Sequence, residues 1–391
     1  MDYSKTVNLP TTDFPMRANL PKREPEMLAQ WSKENIYPTL LAAREGKPLY
    51  ILHDGPPYAN GNIHLGHALN KILKDIIVKH KTMMGFKAPY VPGWDCHGLP
   101  IELQVTRELG DRAASMPKHE IRKRCREYAA KYITIQMEEF KRLGVFGDYE
   151  NPYLTMSAEY EARILEIFGD LYREGFITRG KKPIYWCPTC VTALAEAEVE
   201  YHDHSSPSIF VKFPVDPASV DIPGVDANRL FVLIWTTTPW TLPANLGVCF
   251  HPDFPYSAYR SGEEYYIMAD GLAESVTPIT GIDKDQAVPV TRAQIERLSV
   301  RHPFIDRESK VLFASFVTLD QGSGIVHIAP GHGMEDYLLG IESGLDVYCP
   351  VDDHGRFTDE FPEMKGVNVF DANPMVIELL KKKGVFVHTS E

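Results

Sequence analysis

The chain has 391 residues, enough for two or three domains with separate cores, and its 44% hydrophobic and 24% charged residues are ordinary for a globular protein. No apolar run approaches the roughly 20 residues that a helical membrane span needs, so a membrane role is not supported. A formal net charge of −12 excludes capture of nucleic acid by the global field, and such a partner would need local basic surfaces.

The stretch through Glu26 lacks an apolar core and carries acids, unlike a secretory signal or a transit peptide, so a cytoplasmic address is expected. Residues 24–46 show a helical pattern. Residues 48–53 form a short apolar run that reads as a buried strand, and the Gly/Pro-rich 54–62 after it reads as a loop. A helix then starts near His64 and runs to Met84, where Gly85 stops it; Leu65, Leu69, Ile72 and Ile76 share one face, the mark of an amphipathic helix. A second short strand over 88–91 leads into a Pro/Gly-rich turn, and long helical patterns follow over 117–143 and 158–175. This alternation predicts the α/β class, with a parallel sheet under helical cover.

After Tyr185 short β-branched and aromatic runs replace the long helices, at 208–213, 230–238, 247–250, 265–268, 311–317 and 324–328, which predicts a β-rich second domain. Spans 216–228 and 277–292 are rich in turn residues and read as surface connections. The boundary falls between 177 and 207. Of six cysteines, Cys96, Cys125, Cys249 and Cys349 are isolated in sequence, so reduced thiols are expected. Two basic clusters stand out, Lys71, Lys74, Lys79 and Lys81, and Lys118, Arg122, Lys123, Arg124 and Arg126; each reads as a solvated helix face or as a surface for RNA.

The segment Gly61-Asn62-Ile63-His64-Leu65-Gly66-His67 places two imidazoles three residues apart at a predicted helix N-terminus. That arrangement suits a triphosphate: residues i and i+3 share a face, the free N–H groups attract anions, and glycine admits close approach to the backbone. Its flanks, Asp54-Gly55-Pro56-Pro57-Tyr58-Ala59-Asn60-Gly61 and Asn70-Lys71-Ile72-Leu73-Lys74-Asp75, and the later Pro92-Gly93-Trp94-Asp95-Cys96-His97-Gly98-Leu99-Pro100-Ile101-Glu102, resemble the isoleucine branch of the class I aminoacyl-tRNA synthetases. The resemblance runs from about Asn8 to the C-terminus. It implies that His64, Leu65, Gly66 and His67 form the ATP site, with the imidazoles on the phosphates and Gly66 under the adenosine. It also implies that Gly55, Pro56 and Asp95 hold isoleucine, Asp95 pairing with its ammonium group, and that Mg²⁺ accompanies ATP. Adenylate formation needs no base, because a carboxylate attacks the α-phosphate; the protein must position reactants and neutralise charge.

A second segment, Trp235-Thr236-Thr237-Thr238-Pro239-Trp240-Thr241-Leu242-Pro243-Ala244-Asn245, reads on its own as a strand running into a Pro-broken turn. In the resemblance it lines an editing pocket together with His327-Ile328-Ala329-Pro330-Gly331-His332-Gly333-Met334-Glu335-Asp336-Tyr337. Thr236, Thr237, Thr238 and Asn245 would wall that pocket, His327 would shape it, and Asp336 would take the ammonium group of a misattached valine. A synthetic pocket separates valine from isoleucine poorly by one methylene, this pair of amino acids being the standard illustration, so a second, hydrolytic site is needed. Cys187-Pro188-Thr189-Cys190 reads either as half of a tetrahedral zinc site or as thiols in a turn, with His202 and His204 poorly placed to complete it.

The expected organisation is a helical extension over 1–45, the first half of a Rossmann-like catalytic domain over 46–190, and a β-rich editing domain over 191–391, incomplete at its far end. The resemblance implies tRNA(Ile), isoleucine and ATP as partners of a monomer, and a KMSKS loop and anticodon-reading domain beyond this chain. A free-standing hydrolase of mischarged tRNA and a non-catalytic tRNA-binding relative remain as other readings.

Overall fold

The computed structural model describes residues 3, 6–8, 13 and 17–390. The chain gathers into two compact units, Met1–Thr178 and Arg179–Glu391. Most of the expected extension before Arg17 lies outside the described residues.

In the N-terminal unit the helical pattern over 24–46 becomes two helices, α1 (Leu20–Lys33) and α2 (Ile36–Ala43), because Asn35 takes the left-handed conformation that asparagine tolerates. Helix α3 (Leu65–Met83) begins and ends close to expectation. The turn after β1 (Gly93–Trp94) winds directly into α4 (Leu99–Leu109), with Pro100 in its first turn, where no backbone N–H is missed. Then come α5 (Arg112–Ser115), α6 (Lys118–Arg142), β2 (Tyr153–Leu154) and α7 (Ala158–Arg173), the last capped by Ser157 Oγ. Strands β1 and β2 pair in parallel, and single parallel bridges join Leu49 to Lys87 and Tyr58 to Asp95. The parallel arrangement is therefore present, but 48–53 and 88–91 are extended segments rather than strands, the one bridge between these regions joining Leu49 to Lys87, just before the second segment.

The core of this unit corrects the sequence reading of α3. Its apolar face lies in solvent, Leu65 being 88% and Leu69 62% exposed, while Lys71, Asp75, Val78 and Thr82 are buried. Helix α7 buries no residue. Periodicity locates an apolar stripe, but a buried polar face can still be stable where each charge finds a partner elsewhere in the chain. The apolar core that does form packs Trp94, Ile101, Ala129, Ile133 and Phe140 together, and separately Val78, Ala88, Tyr90 and Val145.

The C-terminal unit opens with a hairpin, β3 (Trp186–Cys187) and β4 (Thr192–Ala193). A six-stranded sheet follows, in the order β10-β8-β9-β6-β5-β14, from β5 (Ser208–Pro214), β6 (Leu230–Thr236), β8 (Tyr256–Ser261), β9 (Glu264–Ala269), β10 (Asp283–Val290) and β14 (Phe386–Ser390). A four-stranded sheet has the order β11-β12-β7-β13, from β7 (Gly247–Phe250), β11 (Val300–Arg301), β12 (Glu308–Phe313) and β13 (Ile325–Ile328). Helices α8 (Ala273–Thr280), α9 (Arg292–Ile295), α10 (Met334–Glu342) and α11 (Val369–Lys382) complete it. The runs of β5 and β6 are mostly apolar, with Lys212 the charged exception paired to Glu264, because both faces are covered: Ile209, Val211, Phe213, Val232 and Ile234 enter the main core, Phe210 and Leu233 a second one with Val276 of α8.

The span 277–292, expected to be a connection, instead holds the end of α8 and the whole of β10, antiparallel to β8. Its sequence is polar because β10 is an edge strand with one side in water, and Pro289 is tolerated there. Among the described residues no helix is long and apolar enough to cross a membrane.

Candidate functional sites

In the N-terminal unit, His64 is the N-cap of α3. Its Nδ1 accepts the Gly66 N–H at 3.0 Å, and His67 Nδ1 accepts the His64 N–H at 3.3 Å. The two rings stack with centroids 3.9 Å apart. Both Nδ1 atoms serve the backbone, so both rings carry their proton on Nε2, and each Nε2–H remains a donor for a ligand. Partial burial, and then its neighbours His64 and Lys71, hold His67 below the usual histidine range, so it donates as a neutral ring. A Cβ on Gly66 would lie 2.9 Å from His64 Cε1, so a side chain there would displace the ring. Leu65 projects into solvent.

The loop before α3 is held from three sides. Buried Gln136 of α6 donates to the carbonyls of Tyr58 (3.1 Å) and Gly61 (2.8 Å) and accepts from Trp94 Nε1 at 3.0 Å. Glu139 accepts the Ile63 N–H at 2.8 Å, and Tyr128 donates to Asn60 Oδ1 at 2.8 Å. Asp54, fully buried, ion-pairs with Lys71 and with Lys74 (2.6 Å) and accepts the Gly93 N–H at 2.9 Å. Lys74 also donates to the Gly55 carbonyl at 3.2 Å. Asp95 reaches the same place through its backbone, donating to Pro57 O at 2.8 Å and accepting from Ala59 N at 2.9 Å. Gly55, Pro56 and Asp95 thus lie on one bridged pair of segments beside the α3 N-terminus. None of the supporting groups, Asp54, Lys71, Gln136 or Glu139, was read from sequence as part of the site. In α6 the polar residues at 136 and 139 look like solvated positions of a charged helix.

In the C-terminal unit, β6 delivers Thr236, the helical turn 239–244 delivers Thr241, and β13 delivers His327. His327 Nε2 lies 3.1 Å from Thr241 Oγ1 and 3.5 Å from Thr236 Oγ1; Thr241 Oγ1 donates in turn to the Thr238 carbonyl at 2.8 Å. With the Thr241 proton spent, the imidazole donates from Nε2, and its Nδ1 is a buried acceptor without a hydrogen-bond partner in the described structure. Thr237 and Thr238 are exposed. Thr241, one of the four threonines of the segment expected to line the pocket, lies nearer His327 than Thr236 does. Asn245 is fully buried, donates to Gly247 O at 2.7 Å and accepts from Ser309 Oγ, so its amide pins β7 to β12 rather than walling a pocket.

Asp336 sits in the first turn of α10, its Oδ2 accepting the Ala329 N–H at 2.8 Å. Burial pushes its carboxyl up to about 6, and no ion pair compensates it among the described residues. A carboxylate held that way is complementary to a cation. His332 meets the edge of Trp240 at 4.9 Å between centroids. The turn 239–244 itself rests on buried His302, whose Nε2 donates to Leu242 O at 2.8 Å while Nδ1 accepts from Phe304 (3.2 Å) and Ile305 (3.1 Å).

Burial holds His302 at about 3 and His327 and His332 at about 4, all far below the ordinary 6.5. The unfolded chain binds these three protons below about pH 6.5 and the folded one does not, so stability rises with pH through that window. Asp336 opposes them between its ordinary 3.8 and about 6, because there the folded state holds the extra proton. The net of two protons predicts that the C-terminal unit loses roughly 2 kcal/mol or more from pH 7 to pH 5. Urea unfolding followed by Trp235 and Trp240 fluorescence at both pH values checks this, and a flat or inverted dependence would refute it.

Cys190 N–H donates to Cys187 Sγ at 3.3 Å, which lowers the Cys187 thiol. Among the described residues no group of three or more His, Cys, Asp or Glu side chains is arranged to hold a metal. His202 pairs instead with Glu200 at 3.5 Å.

The family model described as tRNA synthetases class I (I, L, M and V) matches residues 26–298, a span that includes the two histidines, Asp95 and Thr236. A protein of Nitratidesulfovibrio vulgaris named isoleucine–tRNA ligase is 54% identical over 98% of this chain and 41% of its own length. One of Thermotoga neapolitana with the same name is 54% identical over 100% of the chain and 42% of its own. The chain therefore spans about two fifths of the length of these relatives. The crystal structure of a ternary complex of the Agrobacterium radiobacter K84 agnB2 LeuRS with tRNA and LeuAMS has a TM-score of 0.40 and 18% identity, covering 96% of this chain and 48% of that one. Matched by the family model over more than half its length, with the stacked imidazoles at the α3 N-terminus inside the match, the chain belongs to the class I tRNA synthetases of the I, L, M and V group.

Proposed function

We propose that the protein carrying this chain is an isoleucine–tRNA ligase with a hydrolytic editing site. The N-terminal unit supplies the first half of the ATP and isoleucine site, and the C-terminal unit removes valine from mischarged tRNA(Ile). The observation that carries the synthetic half is the pair of Nε2–H donors on His64 and His67, beside the bridged segments bearing Gly55, Pro56 and Asp95. Those donors meet charge on the phosphates as the isoleucine carboxylate attacks the α-phosphorus and pyrophosphate leaves. Asp95 takes the ammonium group, and Mg²⁺ travels with ATP as it does in the family generally. A cytoplasmic monomer acting on tRNA(Ile), isoleucine and ATP completes the reading. The names of the relatives at 54% identity support the isoleucine specificity.

In the protein at the length of its relatives, His67→Ala is expected to lower isoleucine-dependent exchange of pyrophosphate into ATP by about 100-fold, the scale of one lost transition-state donor. Hydrolysis of valyl-tRNA should stay nearly intact. Equal loss of both activities would overturn the two-site reading. A second reading, a hydrolase active without the synthetic half, is favoured by the half-buried Asp336, which has no ion pair among the described residues and whose Oδ2 accepts the N–H of Ala329, two residues after His327. It requires turnover of valyl-tRNA by the 391-residue chain with no ATP.

A further inference from the structure

The basic cluster of α6 takes no part in either site described above. Lys118, Arg122 and Arg126 follow one another at four-residue intervals, so they lie along one face of the helix. They line a cavity of about 560 Å³ whose opposite wall includes Cys96, His97 and Gly98, the residues directly after Asp95. Arg126 is committed: it donates to Met156 O at 2.5 Å and to Glu161 at 3.0 Å, and Glu161 also lies 3.2 Å from His97. Lys118 and Arg122 have no carboxylate within ion-pair distance among the described residues, although Glu102 shares the cavity wall. On the next face of the helix Arg124 and Lys131 line a second hollow together with Arg112. Between Arg112 and Lys131 there are seven basic and two acidic residues, in a chain whose net charge is −12. Such a clustered basic stripe on an otherwise acidic chain is the footprint expected for a polyanion.

We propose that this face of α6 binds consecutive backbone phosphates of the tRNA acceptor end, guiding it toward the Asp95 turn. The proposal rests on the synthetase reading. From Lys118 to Arg126 the charges extend roughly 12 Å along the helix axis, at 1.5 Å per residue. That is more than one phosphate needs and suits successive phosphates of a single strand. The groups are side-chain cations with no built recognition of a base, so the contact adds affinity and register and carries no sequence preference.

The test is the double variant Lys118→Ala/Arg122→Ala in the protein at the length of its relatives, beside a control, Arg163→Ala/Arg173→Ala, that removes equal charge from the exposed surface of α7. Expected for the α6 variant are a dissociation constant for tRNA(Ile) raised about 10-fold and a slope of log K against log salt shallower by roughly 1.4–1.8, two phosphates' worth. Isoleucine-dependent pyrophosphate exchange should stay within two-fold of the parent. An unchanged dissociation constant overturns the proposal, and so does an equal loss in the α7 control, which would mark a diffuse field. Loss of exchange with unchanged tRNA binding also overturns it, since the cavity would then serve a small nucleotide. Absence of exchange in the parent protein would instead strike the synthetase reading, and the binding measurement would still decide the α6 surface.

Discussion

Asp54→Ala is expected to destabilise the N-terminal unit by roughly 3–5 kcal/mol, the cost of stranding one partner of a buried ion pair. Asp54 is 0% and Lys71 2% exposed, so water cannot replace the lost carboxylate. Burial alone would raise the Asp54 carboxyl, but the charge of Lys71, and then hydrogen bonds from Lys71, Lys74 and Gly93, outweigh it and keep the group ionised below its ordinary value. Removing it strands the Lys71 ammonium beside Tyr90 and the ring of Phe140, and leaves the Gly93 N–H without its acceptor. The readout is the denaturant midpoint of the transition reported by Trp94. For comparison, Arg163→Ala, which breaks an exposed pair with Glu166, should cost under about 0.5 kcal/mol. A shift below about 1 kcal/mol for Asp54→Ala would mean that the cluster is wet and weakly coupled. Asp54 ties α3 to the Gly55 loop and to the strand before Asp95, so on the proposed synthetase reading the same variant should also weaken isoleucine binding in whatever fraction remains folded.

On the editing reading, Asp336→Ala should slow hydrolysis of preformed valyl-tRNA about 30-fold or more, since a shielded carboxylate–ammonium contact contributes roughly 2–4 kcal/mol and about 1.4 kcal/mol corresponds to a factor of ten. The carboxyl stands at about 6, with the Ala329 N–H on it but no ion pair among the described residues, so it is ionised at neutral pH and protonates on mild acidification. Deacylation by the parent should accordingly rise as pH passes through about 6, and that limb should vanish in the variant. Isoleucine activation should barely change, because the contact belongs to the C-terminal unit. Deacylation and pyrophosphate exchange measured on the same preparation separate the outcomes. Unchanged deacylation would make Asp336 a bystander carboxylate, and collapsed exchange would make it a structural one.

The elements that formed where the sequence placed them share a property: their determinants lie within a few residues of one another. The start of α3 at His64, the stacking of His64 on His67 and the stop at Gly85 follow from helical spacing and capping. The apolar runs of β5, β6, β7 and β13 became strands because β-branched and aromatic residues fill a sheet buried on its faces. The HxGH segment and the two threonine- and histidine-bearing stretches were legible as chemistry for the same reason, each being compact in sequence.

Other features were decided only by the tertiary structure, because their partners are distant along the chain. The buried side of α3 is the one carrying Lys71 and Asp75 rather than Leu65 and Leu69, since Asp54 and the backbone of Phe146 meet those charges from outside the helix. Gln136 and Glu139 became clamps of the 58–63 loop through hydrogen bonds spanning more than seventy residues. Asn245 turned inward to Ser309, and Thr241 met His327, across gaps of 64 and 86 residues. Strand β10 hid behind a polar composition that an edge strand shares with a loop. Periodicity reports what is apolar and local propensity reports what can turn, but neither reports which distant group will satisfy a polar one. By itself, therefore, the sequence determined the family's motifs and the local frames that carry them, and the packing of remote segments decided which polar residues were buried to hold those frames in place.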